Sequence, residues 1–299
     1  MFIVTSKPES VPHLKFITSS GHPIYDGEEE LVKRLPTPKD VQVLNPAQAQ
    51  RHFNSTHAIR IDGANFLVND PSQLITHYYH FTAELLFGLW RTYASLDPFI
   101  SADGYTTLPP PKRLMFTHVN STSWRDYAAL NQWVLRGAFP AITYEFSEDW
   151  EDRAAMDMPF VFERVVLADR AAASNGPFHA KTWRTASEAF TLRGSRHWWT
   201  PIRANVLRFS GLPLEWIFGP GLSGHSEDER ERFVITYVSR QKWGRRMLRP
   251  EDHDALVKEL HWLRDRYGYE VNIVDMDKMS RAEQLRLAGR TTVSFLPFL

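Results

Sequence analysis

The chain has no cysteine, no excess of charge of either sign and no long apolar segment. The absence of cysteine among the 299 residues excludes disulfides, thiolate catalysis and cysteine-based zinc sites. Lys plus Arg (35) equals Asp plus Glu (35), which argues against a non-specific nucleic-acid binder. No apolar run approaches the roughly 20 residues that span a bilayer, and Met1 to Pro8 do not form a signal peptide. The composition therefore predicts neither a nucleic-acid partner nor a membrane span.

Apolar residues make up 43% of the sequence and charged residues 23%, enough to build one large folded domain or two lobes. Two tripeptides, Asn54-Ser55-Thr56 and Asn120-Ser121-Thr122, match the pattern for N-glycosylation. Such short patterns also arise by chance, so they give only weak support for a secretory location.

Residues 1–215 have the pattern of a mixed α/β lobe, and residues 1–57 predict irregular structure with one or two short strands. Helical spacing of apolar residues predicts a helix from Pro71 to Trp90 and another from Trp124 to Leu135. A helical region over 182–209 contains Thr200-Pro201, where the proline should end or kink the helix. Strands are expected at 58–62, 66–68, 113–117 and 160–167.

A clearer pattern follows a glycine-rich and acidic stretch, residues 216–232, that reads as a linker. Buried-strand runs alternate with amphipathic helices between residues 233 and 296, in the order β-α-β-α-β. This alternation is typical of a parallel, doubly wound sheet. The sequence therefore predicts an α/β fold class, with residues 233–299 as a second, partial lobe.

Three blocks of sequence, in this order, resemble family 61 glycosyltransferases in their fungal form. The first is Tyr79-His80-Phe81-Thr82-Ala83-Glu84, similar to an aromatic-His-x-x-x-acid helix of that family. The second is Tyr237-Val238-Ser239-Arg240-Gln241, with Arg245-Arg246 close behind, and the third is Met279-Ser280-Arg281-Ala282-Glu283-Gln284-Leu285. The resemblance covers roughly residues 58–292.

This resemblance implies a GT-B-like architecture of two Rossmann-like lobes, with residues 1–215 on the acceptor side and the later lobe binding the nucleotide sugar. The implied activity is inverting transfer of a sugar from a nucleotide-sugar donor to a hydroxyl of a glycan or glycoprotein acceptor. It also implies no cofactor and no essential metal, and a location in the Golgi or ER lumen.

The end of the chain departs from the family pattern. The family's strand after the Glu-Gln helix runs into a glycine-rich loop with a histidine, whereas Ser294 to Leu299 contain neither residue type. We therefore expect a C-terminally truncated second lobe and impaired transfer activity. The alternative is a non-catalytic remnant that acts as a glycan-binding or partner-binding module.

His80, Glu84 and Asp62 are the candidate catalytic residues. His80 and Glu84 are four residues apart on one predicted helix, so they share a face, and a His–carboxylate pair can accept a proton from a sugar hydroxyl. A structural pair that fixes helix packing explains the same spacing. With His77 the set also mimics a metal-ligand spacing, a weaker interpretation. Asp62 stands at the end of a predicted strand as a candidate base, although a turn beside Gly63 explains it as well.

The candidate residues for nucleotide-sugar binding are Ser239, Arg240, Arg245, Arg246 and Glu283. Arg240 follows a predicted buried strand, so it should lie at the carboxyl edge of a parallel sheet, where guanidinium groups can bind phosphate. A solvent-exposed basic loop is the alternative. Glu283 matches the family's Glu-Gln helix as a ribose-binding residue, but it also follows Ser280 by three residues, which is the spacing of a capping box.

Overall fold

The computed structural model describes residues 1–54, 57–182, 184–213, 233–244 and 247–295. The chain divides into two compact units, Met1–Pro201 and Ile202–Leu299. This boundary precedes the one suggested at residue 215, and the predicted linker over 216–232 lies outside the described residues. In the described residues, no helix is both long and apolar enough to cross a membrane.

The first unit is built on a parallel sheet of four strands in the order β5-β4-β3-β6. The strands are β3 (Ile59–Val68), β4 (Arg113–Phe116), β5 (Thr143–Glu145) and β6 (Phe160–Ala168). Two further strands, β1 (Phe2–Val4) and β2 (Gln42–Leu44), form a separate parallel pair, as the sequence predicted for the amino-terminal region. The chain progresses outward from β3 to β5 and then returns to the other side of β3, so the direction of winding changes between β3 and β6.

Strand β3 differs from its prediction as two short strands, because the backbone continues through Gly63. The register against β6 shifts between Ile61 and Ala64, and Gly63 adopts a φ of 89° within this irregularity. A left-handed backbone favours glycine, so Gly63 allows a bulge here without ending the strand.

The helices of the first unit are shorter than the sequence suggested. Their bounds are Glu28–Lys33, Pro46–Phe53, Ser72–Ile75, Phe87–Ala94, Leu130–Ala138, Ser147–Ala155, Arg170–Ala173, His179–Thr182 and Ser187–Phe190, with a π-helix at His80–Leu86. The predicted helix from Trp124 is wrong in its first turns. There the Asp126 carboxylate accepts the Asn131 N–H at 2.8 Å, and Ala129 takes a left-handed φ of 53° before the helix begins.

The second unit confirms the predicted β-α-β-α-β order over its described residues. Its strands β7 (Val234–Val238), β8 (Glu270–Val274) and β9 (Val293–Phe295) form a parallel sheet in the order β8-β7-β9. The connecting helices are Pro250–Tyr267 and Arg281–Arg290. Gly268 ends the first of them with a left-handed φ of 72°, the C-cap that the sequence predicted.

Most of the helix Thr200–Phe209 belongs to the second unit, so the boundary between the units lies before residue 215. Pro201 lies in its first turn and does not end it, because the missing N–H costs nothing there. Its residue Leu207 forms a buried cluster with Ala204 and Leu212. A β-carbon added to Gly289 would lie 2.3 Å from the Leu207 side chain, so this helix packs closely on the helix Arg281–Arg290.

Candidate functional site

Polar residues follow three strands of the first unit at the same edge of the sheet. Asn69 and Asp70 follow β3, Thr117 follows β4, and Asp169 and Arg170 follow β6. The carboxyl ends of parallel strands meet at one edge, and ligands of doubly wound folds bind there, next to the change in winding direction. We therefore take this edge as the candidate site of the first unit.

Arg170 is the central cation of this edge and is only 6% exposed. Its Nε lies 3.3 Å from Glu84 Oε2, and its Nη2 lies 3.6 Å from Asp70 Oδ2. Nη2 also donates to the backbone carbonyl of His80 at 3.2 Å. Nη1 is buried without a hydrogen-bond partner among the described residues. A buried donor left in this way is costly unless a ligand or water accepts its proton.

Asp70 is held at the same place by the backbone. Its Oδ1 accepts the Arg170 N–H at 2.6 Å, and the residue is 3% exposed. Burial raises the pKa of Asp70 to about 6, while the positive charge of Arg170 opposes that shift. Desolvation of the charged form thus outweighs the ion pair, in part because the pair at 3.6 Å is longer than a direct hydrogen bond.

His80 and Glu84 lie together, as the sequence predicted. His80 Nδ1 is 2.9 Å from Glu84 Oε2. Since an ionised carboxylate can only accept, Nδ1 donates this hydrogen bond, and in the neutral imidazole the lone pair is then on Nε2. Nε2 has no partner among the described residues, and the histidine side chain is 31% exposed against 10% for the glutamate. This arrangement orients an imidazole to accept a proton from a bound molecule.

The pair sits on the π-helix His80–Leu86 where the sequence predicted regular α-helix. Such helices are rare and occur frequently at functional sites. The backbone here is anchored from another element, because Arg170 binds both the His80 carbonyl and the Glu84 carboxylate.

A cavity of about 510 Å³ opens beside these groups in the first unit. Its charged lining residues are Asp70, Glu84, Asp169, Arg170 and Glu188. The rest of the lining is mainly apolar and includes Phe16, Ile17, Leu85, Leu89 and Leu167. An apolar cavity with a few convergent polar groups has the usual character of a ligand-binding site.

Asp169 ties the amino-terminal segment to this edge. Its Oδ2 accepts hydrogen bonds from the Ser19 N–H, from Thr18 Oγ1 at 3.1 Å and from Asn69 Nδ2 at 2.7 Å. Its Oδ1 accepts the Ala172 N–H at 2.8 Å and caps the helix Arg170–Ala173. Because both carboxylate oxygens accept hydrogen bonds from the protein, Asp169 serves to position the edge and its neighbours.

The sequence predictions missed Asp70 and Arg170. A signal was present: the pairs Asn69-Asp70 and Asp169-Arg170 each come directly after an apolar strand run. Only the pairing of β3 with β6 shows that the two strand ends are neighbours.

Asp62 lies apart from the other two candidate catalytic residues. It falls inside β3 and not at a strand end, so that expectation is wrong. Val68 ends the strand six positions later, which at about 3.3 Å per residue places Asp62 roughly 20 Å from the carboxyl edge. Its carboxylate is 64% exposed and pairs with Arg60 at 2.6 Å.

His77 contacts His80, with ring centroids 4.8 Å apart. Within the described ranges, no group of three or more His, Asp or Glu side chains is arranged to hold a metal ion.

In the second unit, Ser239 and Arg240 follow β7 at its carboxyl end, as predicted. The Ser239 N–H donates to the Val274 carbonyl at 2.8 Å and so extends the ladder with β8. The Arg240 guanidinium lies over Trp243, 4.8 Å from the ring centroid, and its Nε is buried without a partner in the described part of the chain. Arg245 and Arg246 lie outside the described residues.

Glu283 forms the capping box that its spacing allowed. Its carboxylate accepts the Ser280 N–H at 2.7 Å, and Ser280 Oγ accepts the Glu283 N–H at 3.3 Å. These bonds begin the helix Arg281–Arg290. The ribose-binding role implied by the resemblance stays a prediction, since the cap accounts for the position of the side chain.

Comparisons with family models, with curated proteins and with solved structures gave no match to this chain.

Proposed function

We propose that this chain is a GT-B-like inverting glycosyltransferase that moves a sugar from a nucleotide-sugar donor to a hydroxyl of a glycan or glycoprotein. The proposal depends chiefly on the His80–Glu84 pair, whose Glu84 lines the cavity at the carboxyl edge of the sheet. The parallel sheets of both units and the placement of Arg240 at the end of β7 support it.

In this proposal His80 Nε2 takes the proton of the acceptor hydroxyl as its oxygen attacks the anomeric carbon. The new bond forms from that oxygen to the anomeric carbon, the bond from this carbon to the phosphate oxygen breaks, and the configuration inverts. The nucleoside diphosphate leaves with the bonding electrons. Glu84 stabilises the imidazolium that forms, as a carboxylate does behind a catalytic histidine.

Arg170 is a positioning residue in this scheme. Its Nε contact with Glu84 at 3.3 Å and its bond to the His80 carbonyl fix both members of the pair. In the second unit Arg240, with the predicted contributions of Ser239, Arg245 and Arg246, binds the diphosphate. No resident metal is part of the scheme.

The test is a panel of nucleotide sugars, with release of nucleoside diphosphate measured in the presence of glycan and glycopeptide acceptors. His80→Ala should lower turnover by about a hundredfold or more, the usual contribution of a general base. His52→Ala, an exposed histidine on the helix Pro46–Phe53, is the matched control and should leave turnover unchanged.

The proposal is contradicted if the chain turns over no donor in the panel. It is also contradicted if the His80 and His52 variants turn over a donor equally. Binding of a nucleotide sugar without turnover favours the alternative of a binding module.

A further inference from the structure

A cationic cluster occupies the carboxyl edge of the second unit's sheet. Arg240 lies two residues beyond β7, and Asp275 comes directly after β8. The hydrogen bond from the Ser239 N–H to the Val274 carbonyl holds these two strand ends side by side. Side chains from both strand ends therefore meet at one place.

Two lysines converge on Asp275 from different segments. Lys242 Nζ lies 4.0 Å and Lys278 Nζ 3.9 Å from the same oxygen, Asp275 Oδ2. Two ammonium groups thus oppose one carboxylate, which leaves these three side chains with an excess of positive charge. The sequence predictions did not include Lys278, which closes the 3-10 turn Met276–Lys278 just after β8.

The two ammonium groups of this cluster, those of Lys242 and Lys278, repel each other. Proximity to the Lys278 ammonium lowers the pKa of Lys242, and the attraction of Asp275 only partly opposes this. Like charges this close destabilise each other, and an anion bound between them would remove that cost. Arg240 Nε, a donor on the same strand end, is also buried without a hydrogen-bond partner in the described residues.

Gln241, the residue before Lys242, forms two hydrogen bonds with the backbone of Leu248. Gln241 Nε2 donates to the Leu248 carbonyl and Gln241 Oε1 accepts the Leu248 N–H, both at 3.1 Å. This two-way bond joins the Gln241 side chain to the backbone of Leu248. The lysine is thus presented from a held backbone, which reduces the entropy lost when an anion binds.

We propose that Lys242 and Lys278 form an anion subsite beside Arg240 that binds a phosphate group, namely the diphosphate of the donor nucleotide. The identification with a donor rests on the proposed function, whereas phosphate binding follows from the cluster itself. Lys278 is the new assignment, and in the proposal its ammonium donates to a non-bridging phosphate oxygen.

The test is calorimetric titration of the full chain with inorganic pyrophosphate and, separately, with a series of nucleoside diphosphates. Lys278→Gln and Lys242→Gln should each weaken binding of pyrophosphate by about fivefold, as expected for one partly solvated charge contact. Lys278→Arg should restore most of the affinity. Lys258→Gln is the matched control, an exposed lysine on the helix Pro250–Tyr267 of the same unit.

The exposed side chains of Lys242 (71%) and Lys278 (67%) mean that both variants should fold, which circular dichroism can check. Failure of pyrophosphate to bind the unmodified chain, or binding that Lys278→Gln leaves unchanged, overturns the subsite. Lys278-dependent pyrophosphate binding in a chain that shows no preference for nucleotides and no sugar transfer supports the subsite and refutes the glycosyltransferase. Sugar transfer that does not depend on Lys278 refutes the subsite alone.

Discussion

Replacing Asp70 with asparagine removes a buried carboxyl group whose pKa burial raises to about 6. The same group has a pKa near 3.8 when exposed in the unfolded chain. Between these values the folded state binds more protons than the unfolded state. The free energy of unfolding contributed by Asp70 therefore falls as the pH rises from about 4 to about 6, and it is level above that.

The size of this effect follows from the two pKa values. A difference of about 2 units at 1.36 kcal/mol per unit corresponds to about 3 kcal/mol over the whole range. About half of it, roughly 1.4 kcal/mol, is lost between pH 5 and pH 7.5. Asparagine keeps an oxygen that can accept the Arg170 N–H but does not titrate, so the difference between the two proteins isolates the carboxyl group.

The assay is urea unfolding of the full chain and of Asp70→Asn at pH 5 and pH 7.5. The stability advantage of the unmodified chain over the variant should decrease by about 1 to 1.5 kcal/mol at the higher pH. Asp265→Asn is the control. The hydrogen bond from Arg264 lowers the pKa of Asp265, so this carboxyl is ionised in both states over that pH range and the difference should not change.

A difference that stays constant with pH would show that Asp70 is not desolvated. A difference that grows with pH would show that the ion pair with Arg170 outweighs burial, which reverses the sign of the pKa shift. Either result contradicts the account of this edge of the sheet.

Asp169→Ala should lower the free energy of unfolding by about 3 kcal/mol or more, because it leaves several buried donors without an acceptor, and denaturant unfolding would measure this. A loss below about 1 kcal/mol would contradict the positioning role. Gly88→Ala and Gly289→Ala are a matched pair of helical substitutions. An added β-carbon meets no atom within 4 Å at Gly88, so alanine should raise the melting temperature there through helix propensity, whereas the contact of 2.3 Å with Leu207 at Gly289 should lower it. Equal shifts of the melting temperature in the two variants would show that the Leu207 side chain can move away from the added methyl group at no cost in stability.

In the second unit, local sequence patterns were sufficient to predict the order of the strands and helices. Buried-strand runs, amphipathic spacing of Leu256, Leu260 and Leu263, and a glycine C-cap predicted its element order correctly. The capping box of Ser280 and Glu283 was also visible, since it depends on residues three apart. In the first unit the same reasoning predicted regular helix where the chain forms a π-helix and, further on, the turn bonded through Asp126.

Local sequence patterns predicted features that act over a few residues: the strands of the second unit, the helix ends at Gly268 and Ser280, and the contact of His80 with Glu84 four positions later. Only the tertiary structure decided that Arg170 lies against Glu84 and Asp70, because these contacts span 86 and 100 positions and depend on β6 pairing with β3. The raised pKa of Asp70 could not be predicted from the sequence either. Its main cause is burial, and burial depends on how distant segments pack together. Hydrogen bonds and side-chain periodicity are local and leave a pattern in the chain, whereas strand order and desolvation arise when distant segments are brought together.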